Sequence, residues 1–181
     1  MNIARLKLMV KMLSEVEAGT WKLPKKSVIA GIDSMPSYRE EEHKNQFDLS
    51  FWSYSTKAIE CGFTACAVGH ACFDKRFNKQ GLEFDWSDTP TFDGSSSWVA
   101  VEKFFEIRKT TAIILFSGGE YPEHLKGNAL VVQVRRRIEK LLELGDETKL
   151  RNMKYNFGYD DVRSWEEYLI SKAGRIYKVK A

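Results

Sequence analysis

Asn128-Ala129-Leu130-Val131-Val132-Gln133-Val134-Arg135-Arg136-Arg137-Ile138-Glu139-Lys140-Leu141-Leu142-Glu143-Leu144-Gly145 is the stretch that decides the fold class. Leu130, Val131, Val134, Ile138, Leu141 and Leu142 recur at three- and four-residue spacing, the apolar stripe of a helix over 129–144. Asn128 is expected to cap its start, and Gly145 stands just past its end. Upstream, Ile3, Leu6, Met9, Val10, Leu13 and Val16 give a second amphipathic helix over 2–17, stopped by Ala18-Gly19. Ser97 is expected to cap a helix over 98–107 that buries Trp98, Val101, Phe104 and Phe105. Thr110 then precedes an apolar run, Ala112 to Phe116, that periodicity leaves open between helix and strand; Ser117-Gly118-Gly119 closes it. A last helix is expected over 160–173, with Val162, Trp165 and Leu169, ending at Gly174.

Between these segments the pattern is weaker. Residues 26–32 read as a short strand and Met35-Pro36-Ser37 as a turn, while residues 39–44 form a charged, solvated patch. Phe47, Leu49, Phe51 and Trp52 are ambiguous between strand and helix. Residues 74–97 read as a long connection, punctuated by Gly81, Asp88, Pro90 and Gly94. The expected fold is mainly α, with α+β as the alternative: one compact helical domain over 1–181 with minor short strands.

Composition narrows the class. The 181 residues are 43% hydrophobic and 29% charged, as in a folded globular chain. Eleven Phe, seven Tyr and five Trp supply abundant core or contact surface. A net charge of +3 is too small an excess to mark a strong nucleic-acid binder. No run approaches the roughly 18 apolar residues of a membrane span, so no membrane partner is expected. The N-terminus alternates charged and apolar residues, unlike a signal peptide. Three cysteines without an export signal fit a reducing cytoplasm.

All three cysteines and one of the three histidines fall in Cys61-Gly62-Phe63-Thr64-Ala65-Cys66-Ala67-Val68-Gly69-His70-Ala71-Cys72. The segment is expected to hold a helix from about Thr64 to Phe73. Three chemistries compete for it. Zinc is disfavoured because Cys-x4-Cys-x3-His-x-Cys lacks the usual closely spaced ligand pairs. On a helix Cys72 also points well away from the face shared by Cys66 and His70. Thiol catalysis would use Cys61, ahead of the helix, with His70 as base, though His70 lies about two turns along. In the third reading the segment is a tightly packed core helix: cysteines act as small hydrophobes, Ala65, Gly69 and Phe73 recur every four residues, and Thr64 supplies the cap. Small residues at that spacing let another element approach the backbone closely. The third reading is preferred, which leaves no catalytic assignment beyond the minority candidates Cys61 and His70, no metal site and no cofactor.

The order Phe47-Asp48-Leu49-Ser50-Phe51-Trp52, followed by the Cys61 to Ala71 segment, resembles a family of small, largely uncharacterised proteins of bacteriophages and their hosts. Its pattern runs from an Asp-Met-Ser-x-Trp element into Cys-Gly-Thr-x-x-Cys-x-x-Gly-[His/Trp]-Ala. The likeness covers about residues 47–145, with Phe63 inserted here between Gly62 and Thr64. It implies a phage or prophage accessory protein in the host-cell cytoplasm and assigns no catalytic residue.

Weaker signals complete the reading. Arg135, Arg136, Arg137 and Lys140 put basic groups on one helix, either as its solvated face or for phosphate contact. Gly118-Gly119 lacks the Gly-Lys-Ser/Thr ending of a phosphate loop. Asp85, Asp88 and Asp93 read as loop acids. Phe84, Trp86, Phe92 and Trp98 give the 74–97 connection more aromatic surface than a mobile loop exposes. The sequence therefore reads as an accessory protein that binds a host or defence-system macromolecule, with a host or phage protein as the preferred partner, or a small ligand, through Phe51, Trp52, Trp86 and Trp98, with Arg135 and Arg136. A cysteine enzyme using Cys61 and a nucleic-acid binder using the 135–140 face are the alternatives.

Overall fold

In the computed structural model, residues 1–22, 47–49, 52–55 and 63–156 are described, and seven α-helices among them carry the fold. The expected strand at 26–32, turn at 35–37, charged patch at 39–44 and helix at 160–173 lie outside these residues. So do Phe51 and Cys61.

Helix α1 (Ile3–Glu17) begins where the Asn2 side chain accepts from the Arg5 N–H at 3.1 Å. Its inward stripe is Leu6, Met9, Met12 and Leu13; Ile3, expected on that stripe, is instead half exposed at the helix start. Helix α6 (Gly127–Leu144) packs along α1 and ends at Gly145, whose φ of 63° is the left-handed cap that glycine adopts most cheaply. Asn128 does not cap it: the helix starts two residues earlier than expected, and the Asn128 amide points to the Glu17 carbonyl at 3.4 Å.

The Cys-rich segment departs from a single helix. Strand β1 (Ser53–Ser55) pairs antiparallel with β2 (Phe63–Ala65), and only then does α2 (Ala67–Phe73) begin. Cys66 holds the cap position assigned to Thr64: its sulfur accepts from the Gly69 N–H at 3.3 Å. The expected connection over 74–97 is also structured. Asp74 caps the short α3 (Lys75–Asn78), and β3 (Glu83–Phe84), β4 (Pro90–Phe92) and β5 (Ser95–Ser96) form a three-stranded antiparallel sheet. Phe84 packs on Phe73, and Phe77 and Phe92 on Phe104, so three of that segment's four aromatics serve the interior and Trp86 does not.

Helix α4 (Ser97–Phe105) covers that sheet. Ser97, expected as the cap, is instead the first helical residue with a φ of 56°; Ser96 holds the cap position without a side-chain cap bond, and Glu106 ends the helix in the left-handed region at 52°. The apolar run resolves as helix α5 (Lys109–Phe116), preceded by Arg108 in place of the expected Thr110 cap. A 3₁₀ turn, Gly118–Glu120, follows, and α7 (Glu147–Asn156), absent from the sequence reading, packs on α5 and α6. The described residues are mainly α with two small sheets, and no helix among them is long and apolar enough to cross a membrane.

Candidate binding site

The small residues of the Cys-rich segment bring a second backbone close. A Cβ built on Gly69 would lie 1.6 Å from the Trp52 carbonyl oxygen and 2.9 Å from the Ala65 Cβ. Only hydrogen fits there. The Cys66 thiol donates to the same carbonyl over 3.8 Å. Cys66 and Gly69 thus clamp the Trp52 main chain against the start of α2, and that fixes where the Trp52 ring emerges.

The ring meets Trp98, from the first turn of α4, with centroids 4.9 Å apart at 59°. Together with Leu49, Phe116 and the Ser117-Gly118-Gly119 turn they line a cleft of about 330 Å³. That volume is at the small end of ligand sites, and its lining combines four apolar side chains with the polar main chain and hydroxyl of the turn. Leu49, Phe116 and the Gly-Gly turn were not singled out by the sequence, because each comes from a different element. The one pointer was a Gly-Gly pair closing an apolar run.

The turn wall is fastened from behind by α6. Helix α5 ends with carbonyls that have no partner inside the helix. The Ser117 N–H takes that of Ile113 at 2.9 Å, Arg137 Nη1 that of Ile114 at 2.8 Å, and the Tyr121 hydroxyl that of Leu115 at 2.6 Å. Arg137 Nη2 donates to the Glu120 carbonyl at 2.6 Å, and its guanidinium carbon sits 3.7 Å over the Tyr121 ring. A cation at this position also suits the negative end of the α5 dipole. Arg137 is completely buried, so it belongs to the cleft's support and not to a surface basic face.

The other basic residues are drawn into ion pairs or stand apart. Arg135 bonds Glu17 at 2.9 Å and Glu139 at 2.8 Å, and Lys140 bonds Glu143 at 2.8 Å. Arg136, half-buried, makes no ion pair among the described residues. Of the two arginines expected to bind a partner, Arg135 is therefore engaged internally. Trp86 stands away from the cleft lining, at the turn between β3 and β4, and is 90% exposed.

The thiol and imidazole of the segment are held in uncharged forms. Burial pushes the Cys66 thiol up to about 12, the Gly69 N–H only partly opposing it. Burial likewise raises Cys72 well above an ordinary thiol. His70 sits between Trp21 and Phe47, with ring centroids 4.8 and 5.5 Å away, and its Nδ1 faces the Cys66 carbonyl at 3.0 Å. A carbonyl only accepts, so Nδ1 carries the proton. Burial lowers the His70 pKa to about 4. A thiolate–imidazolium pair needs the opposite shifts. Among the described residues no group of three or more His, Cys, Asp and Glu is placed to hold a metal ion.

Beneath His70, Arg76 ties three elements together. It bonds Glu15 of α1 through both terminal nitrogens, at 2.9 and 2.6 Å, and Asp74 through Nε at 2.9 Å, while Trp21 Nε1 donates to Asp74 at 3.3 Å. Burial acts to raise the Asp74 pKa, but the bonds from Arg76 and Trp21 outweigh it and hold the carboxyl below its usual range.

His70 gives a pH signature with a definite sign. Its folded pKa is depressed from 6.5 to about 4, so below 6.5 the unfolded chain takes up a proton that the folded chain refuses. The stabilisation is complete above pH 6.5 and is lost as pH falls toward 4. The shift corresponds to roughly 3 kcal/mol. Urea unfolding of the wild type and of His70→Gln at neutral pH and near pH 4.5 checks it. Stability of the wild type should fall more steeply than that of the variant, and parallel losses would contradict the assignment.

No protein-family model matches the chain, and no curated protein or solved structure is significantly similar to it.

Proposed function

We propose that this protein acts by binding and not by catalysis, as a phage-type accessory protein that engages a host or phage protein. The observation that carries this reading is the Trp52–Trp98 cleft, whose shape is set by a backbone contact too close for any side chain at position 69. Aromatic side chains in a fixed cleft are the anchors that protein interfaces use most. The likeness of residues 47–52 and 61–71 to the phage family supports the accessory role, since the two matching elements are the ones joined by the Gly69–Trp52 contact. Burial of the Cys66 thiol and the His70 ring points the same way, because it withholds both from reaction.

The tagged chain, expressed in a bacterial host, cross-linked mildly and analysed by mass spectrometry, tests this. Wild type should retain a defined protein that is lost from both Trp52→Ala and Trp98→Ala when their circular dichroism is unchanged. A retained small molecule that disappears with the same variants would move the reading to a ligand carrier. An unchanged profile in the variants, or a turnover abolished by Cys61→Ser in folded protein, would overturn it.

A further inference from the structure

Trp86 is the most exposed large apolar side chain among the described residues, at 90%. An indole left in water stabilises nothing internally, and exposed aromatics recur as interface anchors. It stands on a fixed support. Asp85 Oδ1 accepts from the Ser87 N–H and hydroxyl, both at 2.8 Å, and from the Thr89 N–H at 3.0 Å, closing the turn between β3 and β4.

Charge identifies what this tip would meet. From Gln80 to Glu102 the chain carries Glu83, Asp85, Asp88, Asp93 and Glu102 without one Lys, Arg or His, although the whole chain is +3. Glu83, Asp85 and Asp88 make no ion pair among the described residues; only Asp93 has a cation nearby, Lys103 at 3.9 Å. Desolvation, with the neighbouring Asp85 charge, raises the Asp88 pKa, as uncompensated acids do when crowded. An indole face attracts a cation through its quadrupole, and flanking carboxylates take the same cation's N–H groups. Arginine suits both contacts, because its planar guanidinium stacks and donates in a fork. Nucleic acid would stack on the indole but bring its phosphates against three carboxylates that no ion pair among the described residues neutralises.

We propose that the Trp86 turn is a docking tip for an arginine-bearing segment of a protein partner, the guanidinium lying on the indole and bonded by the adjacent acids. This rests on the binding role proposed above and names the chemistry of one of its contacts.

Fluorescence anisotropy of the full chain with a short labelled Arg-rich peptide, against the same peptide with every Arg replaced by neutral citrulline, tests it. The Arg peptide should bind about tenfold more tightly, and less so as salt rises. Trp86→Ala should abolish most of that preference. Glu83→Gln with Asp88→Asn should reduce it several-fold, since Asn tolerates the positive φ of 55° at position 88. Thermal unfolding of these variants should be unchanged. Equal affinity for both peptides, indifference to Trp86→Ala, or a labelled single-stranded oligonucleotide bound through Trp86 would each overturn the proposal. The capture experiment with Trp52 and Trp98 variants reads the cleft independently, so failure of one is distinct from failure of the other.

Discussion

Gly69→Ala is expected to cost roughly 3 kcal/mol of stability, although alanine is the better helix former. In α2 the substitution gains about 1 kcal/mol of helix propensity. Against that, the new methyl would sit 1.6 Å from the Trp52 carbonyl oxygen. A main-chain oxygen cannot swing aside as a long side chain can, so α2 and the segment carrying Trp52 must separate. Trp52 then shifts from Trp98 and the cleft loses a wall. Gly119→Ala is the matched control: its Cβ meets nothing within 4 Å, and a change within about 0.5 kcal/mol is expected. Urea unfolding followed by tryptophan emission checks both. Equal stability of the two variants would mean that the close approach does not exist.

Arg137→Met should cost a comparable amount, roughly 3–5 kcal/mol. The guanidinium makes two short bonds to main-chain carbonyls and covers the Tyr121 ring, all inside the core. Methionine keeps the volume but strands the Ile114 and Glu120 carbonyls away from water. Arg137→Lys should recover only part of the loss, since a single ammonium cannot reproduce the planar fork. Arg136→Ala, by contrast, should stay within about 0.5 kcal/mol. Were these arginines a phosphate-binding face, the two alanine or methionine variants would weaken nucleic-acid binding alike and leave stability untouched. Thermal unfolding of the set separates the outcomes.

The amphipathic helices α1, α4 and α6 were legible in the sequence to within about two residues, whereas α7 was missed and α2 starts three residues later than expected. The stripe of α6 is long enough for its period to be unmistakable, and α1 differs mainly in exchanging Ile3 for Met12 as a buried position. Caps were less legible, because they depend on geometry that a residue type only permits. A thiol at Cys66 does what a hydroxyl at Thr64 was expected to do. The 74–97 segment hid its sheet because strands of two or three residues are too short to show alternation. Its turns are also set by Asp88 and Asp93 at positive φ as well as by glycine. Arg137 was concealed by its neighbours, yet the signal was there: it lies three residues after Val134 and four before Leu141, on the apolar stripe. The cleft was half legible. Its tryptophans were singled out, whereas Leu49, Phe116 and the Gly-Gly turn converge only through the fold.

Behind all of these lies one claim, that the segment from Ala65 to Cys72 is a packing device that positions Trp52 and not a chemical centre. Alkylation of the native chain at neutral pH, with each cysteine followed by peptide mass spectrometry, tests it most directly. Cys66 and Cys72 should remain unmodified over a period that fully labels them in urea, since both thiols are buried and protonated. Rapid native labelling of Cys66 that slows in His70→Ala would reveal a working thiolate–imidazole pair and contradict the account.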